Sequence, residues 1–261
     1  MFQDQHVIVF AATGATASGV ALAFAQRGAT VWLAGRDARV EALADDLRRE
    51  AGDDRRVHSA VVDATQSEPV EALVSRVVRD AGRLDAVFNG IGAAPAELRY
   101  PRRTVDASVE DFLLPITHIV GSQFLTAKVA GRVMAGRGRG AVVTLSATLS
   151  GMTAAHMAGI SAACGAVEAM TRALAGDFGP HGVRVNCVRG SAMPETRTIR
   201  DTFAGQTELR GAPMPVVPSA LGRPITVRET ADTAAFLASD AASGIHGQVV
   251  TVCAGQFVGQ G

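Results

Sequence analysis

The chain has 261 residues, 48% of them apolar, and its 25 basic side chains balance its 25 acidic ones. That length suits one α/β domain around one large core. The absent net charge excludes a long-range field favouring nucleic acid, an anionic membrane or a polyanionic substrate. Cys164, Cys187 and Cys253 are far apart and form no C-x-x-C pair, which argues against a disulfide framework or structural zinc and for a reducing compartment. The apolar run Val7 to Ala12 is too short to span a bilayer or act as a secretory signal, so a soluble, cytoplasmic protein is expected. There is one tyrosine, Tyr100, and one lysine, Lys128, so any mechanism needing a Tyr–Lys pair must use those two.

Short apolar segments alternate with longer amphipathic ones along the whole chain. His6–Ala12, Thr30–Ala34, Val57–Val62, Leu84–Asn89, Ala141–Ser146, Val183–Val188 and Gln248–Cys253 are β-branched-rich and do not alternate, which predicts strands buried on both faces. Between them, Ala17–Arg27, Ala38–Ala51, Glu68–Ala81, Val109–Met134, Ala155–Phe178 and Val227–Ala238 carry apolar residues at helical spacing. Several of these stop at a glycine: Gly28, Gly52, Gly82, Gly136 and Gly179. Strand and helix in this alternation predict a single domain over residues 1–261, a doubly wound parallel sheet with helices on both faces. Residues 190–222, containing Pro194, Pro213, Pro215 and Pro218, show no periodicity and read as a long substrate-binding loop.

A parallel sheet binds ligands beyond the carboxyl ends of its strands, and the first strand–helix turn offers backbone N–H groups to a pyrophosphate. Here that turn reads Ala11-Ala12-Thr13-Gly14-Ala15-Thr16-Ala17. A G-x-x-G-x-x-G spacing would place glycines at 11, 14 and 17, but only Gly14 is one, and alanine tolerates positive φ poorly. Arg36, just past the second strand, stands where a guanidinium would meet a 2′-phosphate, and no acidic residue occupies that strand tip, so NADP(H) is preferred over NAD(H). Asp63 after the third strand suits an adenine amino group, and Asn89-Gly90 ends the fourth close to a ribose. Each also reads more plainly: Arg36 as a solvated helix-start residue, Asp63 as an N-cap, Asn89 as a turn residue. The candidate cofactor set is Ala11, Gly14, Thr16, Arg36, Asp63, Asn89 and Gly90; no metal cluster is apparent.

Three C-terminal segments carry a family resemblance: Leu174-Ala175-Gly176-Asp177-Phe178-Gly179-Pro180-His181-Gly182-Val183-Arg184-Val185-Asn186, Leu221-Gly222-Arg223-Pro224, and Phe236-Leu237-Ala238-Ser239-Asp240 through Gly247-Gln248-Val249. The chain resembles the short-chain dehydrogenase/reductase family over nearly its whole length. The resemblance implies a Rossmann-type seven-stranded sheet, assembly into homodimers or homotetramers, and nicotinamide chemistry at the carboxyl edge. It also implies a catalytic serine, a tyrosine with a lysine four residues later, and a supporting asparagine, in which the tyrosine moves the substrate proton and the lysine lowers its pKa. Matching Gly159–Glu168 to A-Y-S-A-S-K-A-A-V-E puts Ile160 at the tyrosine and Cys164 at the lysine. Ala147 falls at the serine, with Ser146 or Thr148 there if the register slips, and Ile119 falls at the asparagine.

Substitutes are few. Lys128 lies nine positions beyond Ile119, about half a turn round the same predicted helix, and cannot replace the lysine. Tyr100 follows the fourth strand on the ligand side: a proton donor or a half-buried loop aromatic. His156 reads as opening the helix one turn before Ile160, facing the same cavity or serving structure. Ser146, His156 and Tyr100 are therefore the catalytic candidates. His118 reads as packed or at a subunit interface, Cys164 as buried filler, and Arg189 as an anchor for an anionic substrate group or as nothing. The residues point to an NADP(H)-dependent oxidoreductase on an activated carbonyl or enone with a non-standard proton donor. A cyclase, isomerase or dehydratase on the same scaffold, and a non-catalytic binding protein or subunit, remain alternatives.

Overall fold

The β-branched segments form strands and the amphipathic segments between them form helices. In chain order the computed structural model has β1 (His6–Phe10), α1 (Ala15–Gln26), β2 (Thr30–Gly35), α2 (Arg39–Ala51), β3 (Val57–Val61), α3 (Ser67–Ala81), β4 (Ala86–Asn89), α4 (Val109–Pro115), α5 (Gly121–Ala135), β5 (Gly140–Ala147), α6 (Ala158–Phe178), β6 (Val183–Gly190), α7 (Arg197–Arg210), α8 (Val227–Ala238) and β7 (Val249–Val252). It describes residues 1–51, 56–92, 94–212 and 218–257; Gly52, Pro213 and Pro215 lie outside these.

The strands form one seven-stranded parallel sheet, ordered β3-β2-β1-β4-β5-β6-β7. The unbroken apolar run of β1 is explained by two cores. Val7 and Val9 pack with Phe24, Leu33 and the alanines of α8 on one face, while Ile8 and Phe10 pack with Trp32, Val74 and Met134 on the other. Successive side chains of a strand point to opposite faces, so a centre strand must be apolar at every position. Because all strands run the same way, the turns after β1 to β6 open on one edge, which is where the site must be sought.

Three local expectations are corrected. The helix read over Val109–Met134 is broken into α4, a π turn at Ile116–Val120, and α5. Pro115 lacks the N–H that would continue the α ladder, and the chain takes a wider turn after it. The stretch 190–222 is no continuous loop, since it contains α7, capped by the Thr196 hydroxyl and closed by Gly211 at φ 65°. The inner face of α7 is polar, with Thr202 and Gln206 buried, so it leaves no apolar stripe to read. His156 precedes α6 instead of opening it, and adopts φ 63°.

Candidate active site

At the end of β1, Ala11 adopts φ 54°, the left-handed region expected of the first loop glycine. Its carbonyl accepts from the Gly14 amide at 2.9 Å. No side chain caps α1, and no acidic residue stands in its first turn. The Ala15 and Thr16 amides therefore face outward beyond the sheet edge, suited to a phosphate. Ala17 keeps its methyl because Gly90 makes room for it: a Cβ on Gly90 would sit 2.8 Å from that of Ala17.

Arg36 directly follows β2 but does not stand free. Its two Nη groups donate to the Glu97 carboxylate at 2.9 and 3.0 Å. The Glu97 carboxyl is held below its ordinary value chiefly by this hydrogen bond. Glu97 comes from the segment after β4, so the bridge crosses the tip of β1 to reach β2. The neighbouring Asp37 is taken up by Arg39, which holds its carboxyl at about 2. Asp63 folds its Oδ1 onto the Thr65 amide and hydroxyl at 2.9 and 2.7 Å. Burial pulls the Asp63 carboxyl upward, but the Thr65 hydrogen bonds and the charges of His118 and Arg36 outweigh it and hold it low. His118 lies half-buried within electrostatic reach of Asp63, Arg36 and Glu97. Burial lowers its imidazole, opposed by Asp63 and Glu97 and reinforced by Arg36.

Asn89 takes the turn role. Its amide donates to Thr126 Oγ1 at 2.9 Å and its carbonyl accepts from the Ile91 amide at 2.8 Å, tying β4 to α5 and fixing the path through Gly90. Uncapped amides, a guanidinium and a carboxylate lie in this order along the edge where a parallel sheet binds a dinucleotide.

Deeper in the edge, Ile119, Ile160, Cys164, Met157 and Leu98 form a buried apolar cluster, with Tyr100 and Ala147 packed against it. All four positions that the resemblance assigns to the asparagine, tyrosine, lysine and serine therefore converge. Burial pushes the Cys164 thiol up to about 11, the behaviour of an inert packing cysteine. Of the three catalytic candidates, Tyr100 packs on the cluster, and Ser146 meets it through its hydroxyl, which donates to the Cys164 carbonyl at 3.3 Å. The Tyr100 phenol is pushed up to about 12 by burial, with a hydrogen bond involving Thr202 acting against the rise.

The Ser146 hydroxyl also donates to Glu168 Oε1 at 2.8 Å, which accepts from Ser150 at 2.6 Å as well. Arg189 is spent on Thr251 at 2.9 Å and Glu168 at 3.5 Å, so the anchor reading is dropped. His156 lines a separate cavity of about 220 Å³ together with Tyr100, Arg99, Arg102 and Asp111. Lys128 is exposed on α5, so it does not meet Tyr100. Sequence reasoning missed Glu97, Thr202 and Glu168. A lone acid in the apolar stretch of α6 was a usable signal for Glu168, whereas nothing local marks Glu97.

Among the described residues, no helix is long and apolar enough to cross a membrane, and no group of three or more His, Cys, Asp or Glu side chains is placed to hold a metal ion. Residues 11–256 match the family model described as enoyl-(acyl carrier protein) reductase. The chain is 30% identical over 255 residues to the cis-4-hydroxycyclohexanecarboxylate dehydrogenase of Sinomonas cyclohexanicum, covering 97% of each chain. It is 30% identical over 242 residues to the NADH-dependent enoyl-[acyl-carrier-protein] reductase of Aquifex aeolicus, covering 93% of this chain and 86% of that one. A 7α-hydroxysteroid dehydrogenase solved with NADH and 7-oxo glycochenodeoxycholic acid superposes with a TM-score of 0.85 at 22% identity, covering 97% and 94% of the two chains. Sheet order, site position and these matches agree: the chain belongs to the short-chain dehydrogenase/reductase family of oxidoreductases.

Proposed function

We propose that this protein is an NADP(H)-dependent reductase of a small carbonyl or enone in which Tyr100 supplies the proton. The observation that carries the reading is the place of Tyr100, the one phenol of the chain, against the cluster of Ile119, Ala147, Ile160 and Cys164. The α1 amides, Arg36 and Asp63 would hold the nucleotide, which when bound supplies a hydride. The preference for NADP(H) rests on Arg36 at the β2 tip; the names of the relatives above mention NADH.

The chemistry of Tyr100 follows from its surroundings. Lys128 is remote and Arg189 is bound to Glu168, so neither cation is available to lower the phenol. At about 12 it stays protonated at neutral pH, able to protonate the strongly basic oxygen or carbon left after hydride addition. As a base for alcohol oxidation it is poor at neutral pH. Protonated at neutral pH, Tyr100 is suited to the acid role in reduction, with Thr202 orienting the hydroxyl and the apolar cluster excluding water around it.

Binding is tested by fluorescence and thermal-shift titration with NADPH and NADH. Turnover is tested by following NADPH oxidation against a panel of diketones, quinones and enones. Tyr100→Phe is expected to lower kcat by about 100-fold or more, the scale of a lost general acid, with NADPH affinity unchanged. A change within twofold would reject Tyr100 as the donor, and silence with both nucleotides would reject the reductase reading.

A further inference from the structure

The cavity of about 220 Å³ between the segment after β4, α4 and the start of α6 has a charge surplus that its own groups do not cancel. Asp111, buried to 6% exposure, receives Arg99 Nη1 on Oδ1 at 2.8 Å and Arg102 Nη1 on Oδ2. Two guanidinium groups thus share one carboxylate, and both stay about half-exposed on the cavity wall, at 53% and 45%. Each keeps N–H donors beyond the one given to Asp111. The lining also includes the apolar Phe112 and Pro115, with Gly159. The two loops that meet here are fastened by the Arg102 amide donating to the His156 carbonyl at 2.9 Å. Arg99 and His156 hold φ of 55° and 63°, a backbone cost that side chains this large rarely accept away from a constrained site.

We propose that this cavity is a subsite for the carboxylate of a small organic acid, held by Arg99 and Arg102 with its apolar body against Phe112 and Pro115. The volume is below that of sites for drug-sized ligands, which limits the occupant to a small molecule. Arginine pairs grip carboxylates through paired N–H donors, and Asp111 already displays that grip. Tyr100 lines the cavity on one side and packs on the apolar cluster on the other. On the reductase reading above, on which this last step rests, the substrate is an anionic carbonyl compound whose reacting end points at Tyr100.

The test needs no turnover. The full chain, without nucleotide, is titrated calorimetrically with cyclohexanecarboxylate and with neutral cyclohexanecarboxamide, two probes of nearly equal shape. The carboxylate is expected to bind at least tenfold more tightly, with the advantage shrinking as salt rises. Arg99→Gln leaves Arg102 to satisfy Asp111 and is expected to cut the carboxylate preference at least fivefold without changing amide binding. Arg99→Lys restores part of it, and the doubly neutral Arg99→Gln/Asp111→Asn protein checks that the loss follows charge and not misfolding. Equal binding of the two probes, an Arg99→Gln protein that keeps the preference, or displacement of the carboxylate by saturating NADP⁺ overturns the subsite. A retained preference in a protein that never oxidises NADPH leaves the subsite standing and removes only the reductase reading.

Discussion

Glu97→Gln isolates the contact that most directly opposes the proposed cofactor preference. In the structure the guanidinium expected to meet a 2′-phosphate is already satisfied by two hydrogen bonds to one carboxylate. A phosphate must displace or share that partner. The pair is half-exposed, with side chains 50% and 45% accessible, and such pairs are worth about 0.2–1 kcal/mol. At about 1.4 kcal/mol per tenfold, releasing Arg36 is expected to tighten NADPH binding by up to about fivefold. NADH, which carries no 2′-phosphate, should change by less than twofold. The assay is fluorescence titration of both nucleotides against wild type and variant at low and physiological salt. The gain should shrink in salt, because both partners are exposed. Weaker NADPH binding by the variant would refute the reasoning and show that Glu97 presents Arg36 to the phosphate.

Tyr100 can be titrated directly, since tyrosinate absorbance reports on this residue alone; ionisation is expected near pH 12. Its raised folded value means that its contribution to stability is fully present below about pH 10 and is lost as pH climbs through about 12. Denaturant midpoints should accordingly fall over that window in wild type and more shallowly in Tyr100→Phe. Ala11→Gly relieves a left-handed alanine at a cost in unfolded-chain entropy, a net gain of about 0.5–1 kcal/mol, read as a higher Tm. Gly131→Ala places a Cβ 2.5 Å from the Phe178 ring and should destabilise by about 1–3 kcal/mol through overpacking, measured by urea denaturation.

What was legible in the sequence tracks the range of the interaction responsible. Helix α8 was read at Val227–Ala238 and is found there, because its start is written locally as Thr226 and Glu229, which form a reciprocal capping box. β1 was legible because a centre strand is apolar on both faces. The parallel sheet then aligned Ala11, Arg36, Asp63 and Asn89 on one edge from chain order alone. The break between α4 and α5 was written in Pro115, but an apolar period that carries on past it hides the π turn. α7 was hidden because it buries Thr202 and Gln206. Arg36 reads as a phosphate ligand or a solvated residue, and its pairing with Glu97 across 61 positions of chain is a contact between two loops that no local pattern encodes.

The apolar cluster shows why the proposed proton source comes from a loop. A lysine or serine left unpaired among Ile119, Ala147, Ile160 and Cys164 would cost about 1–3 kcal/mol or more as an unsatisfied buried polar group. Four small or apolar side chains avoid that cost together. The polar residues beside it are already engaged: Ser146 and Ser150 both donate to Glu168, and Ser146 also to the Cys164 carbonyl. On the proposed reading the proton donor comes from outside the sheet. The segment after β4 supplies one by laying Tyr100 against the cluster, and the same segment carries Glu97 to Arg36 and Arg99 to Asp111. The proposed proton donor and the proposed anion subsite therefore depend on one stretch of chain, so a change that loosens residues 99–102 should weaken both at once, whereas loss of Glu97 alone frees Arg36.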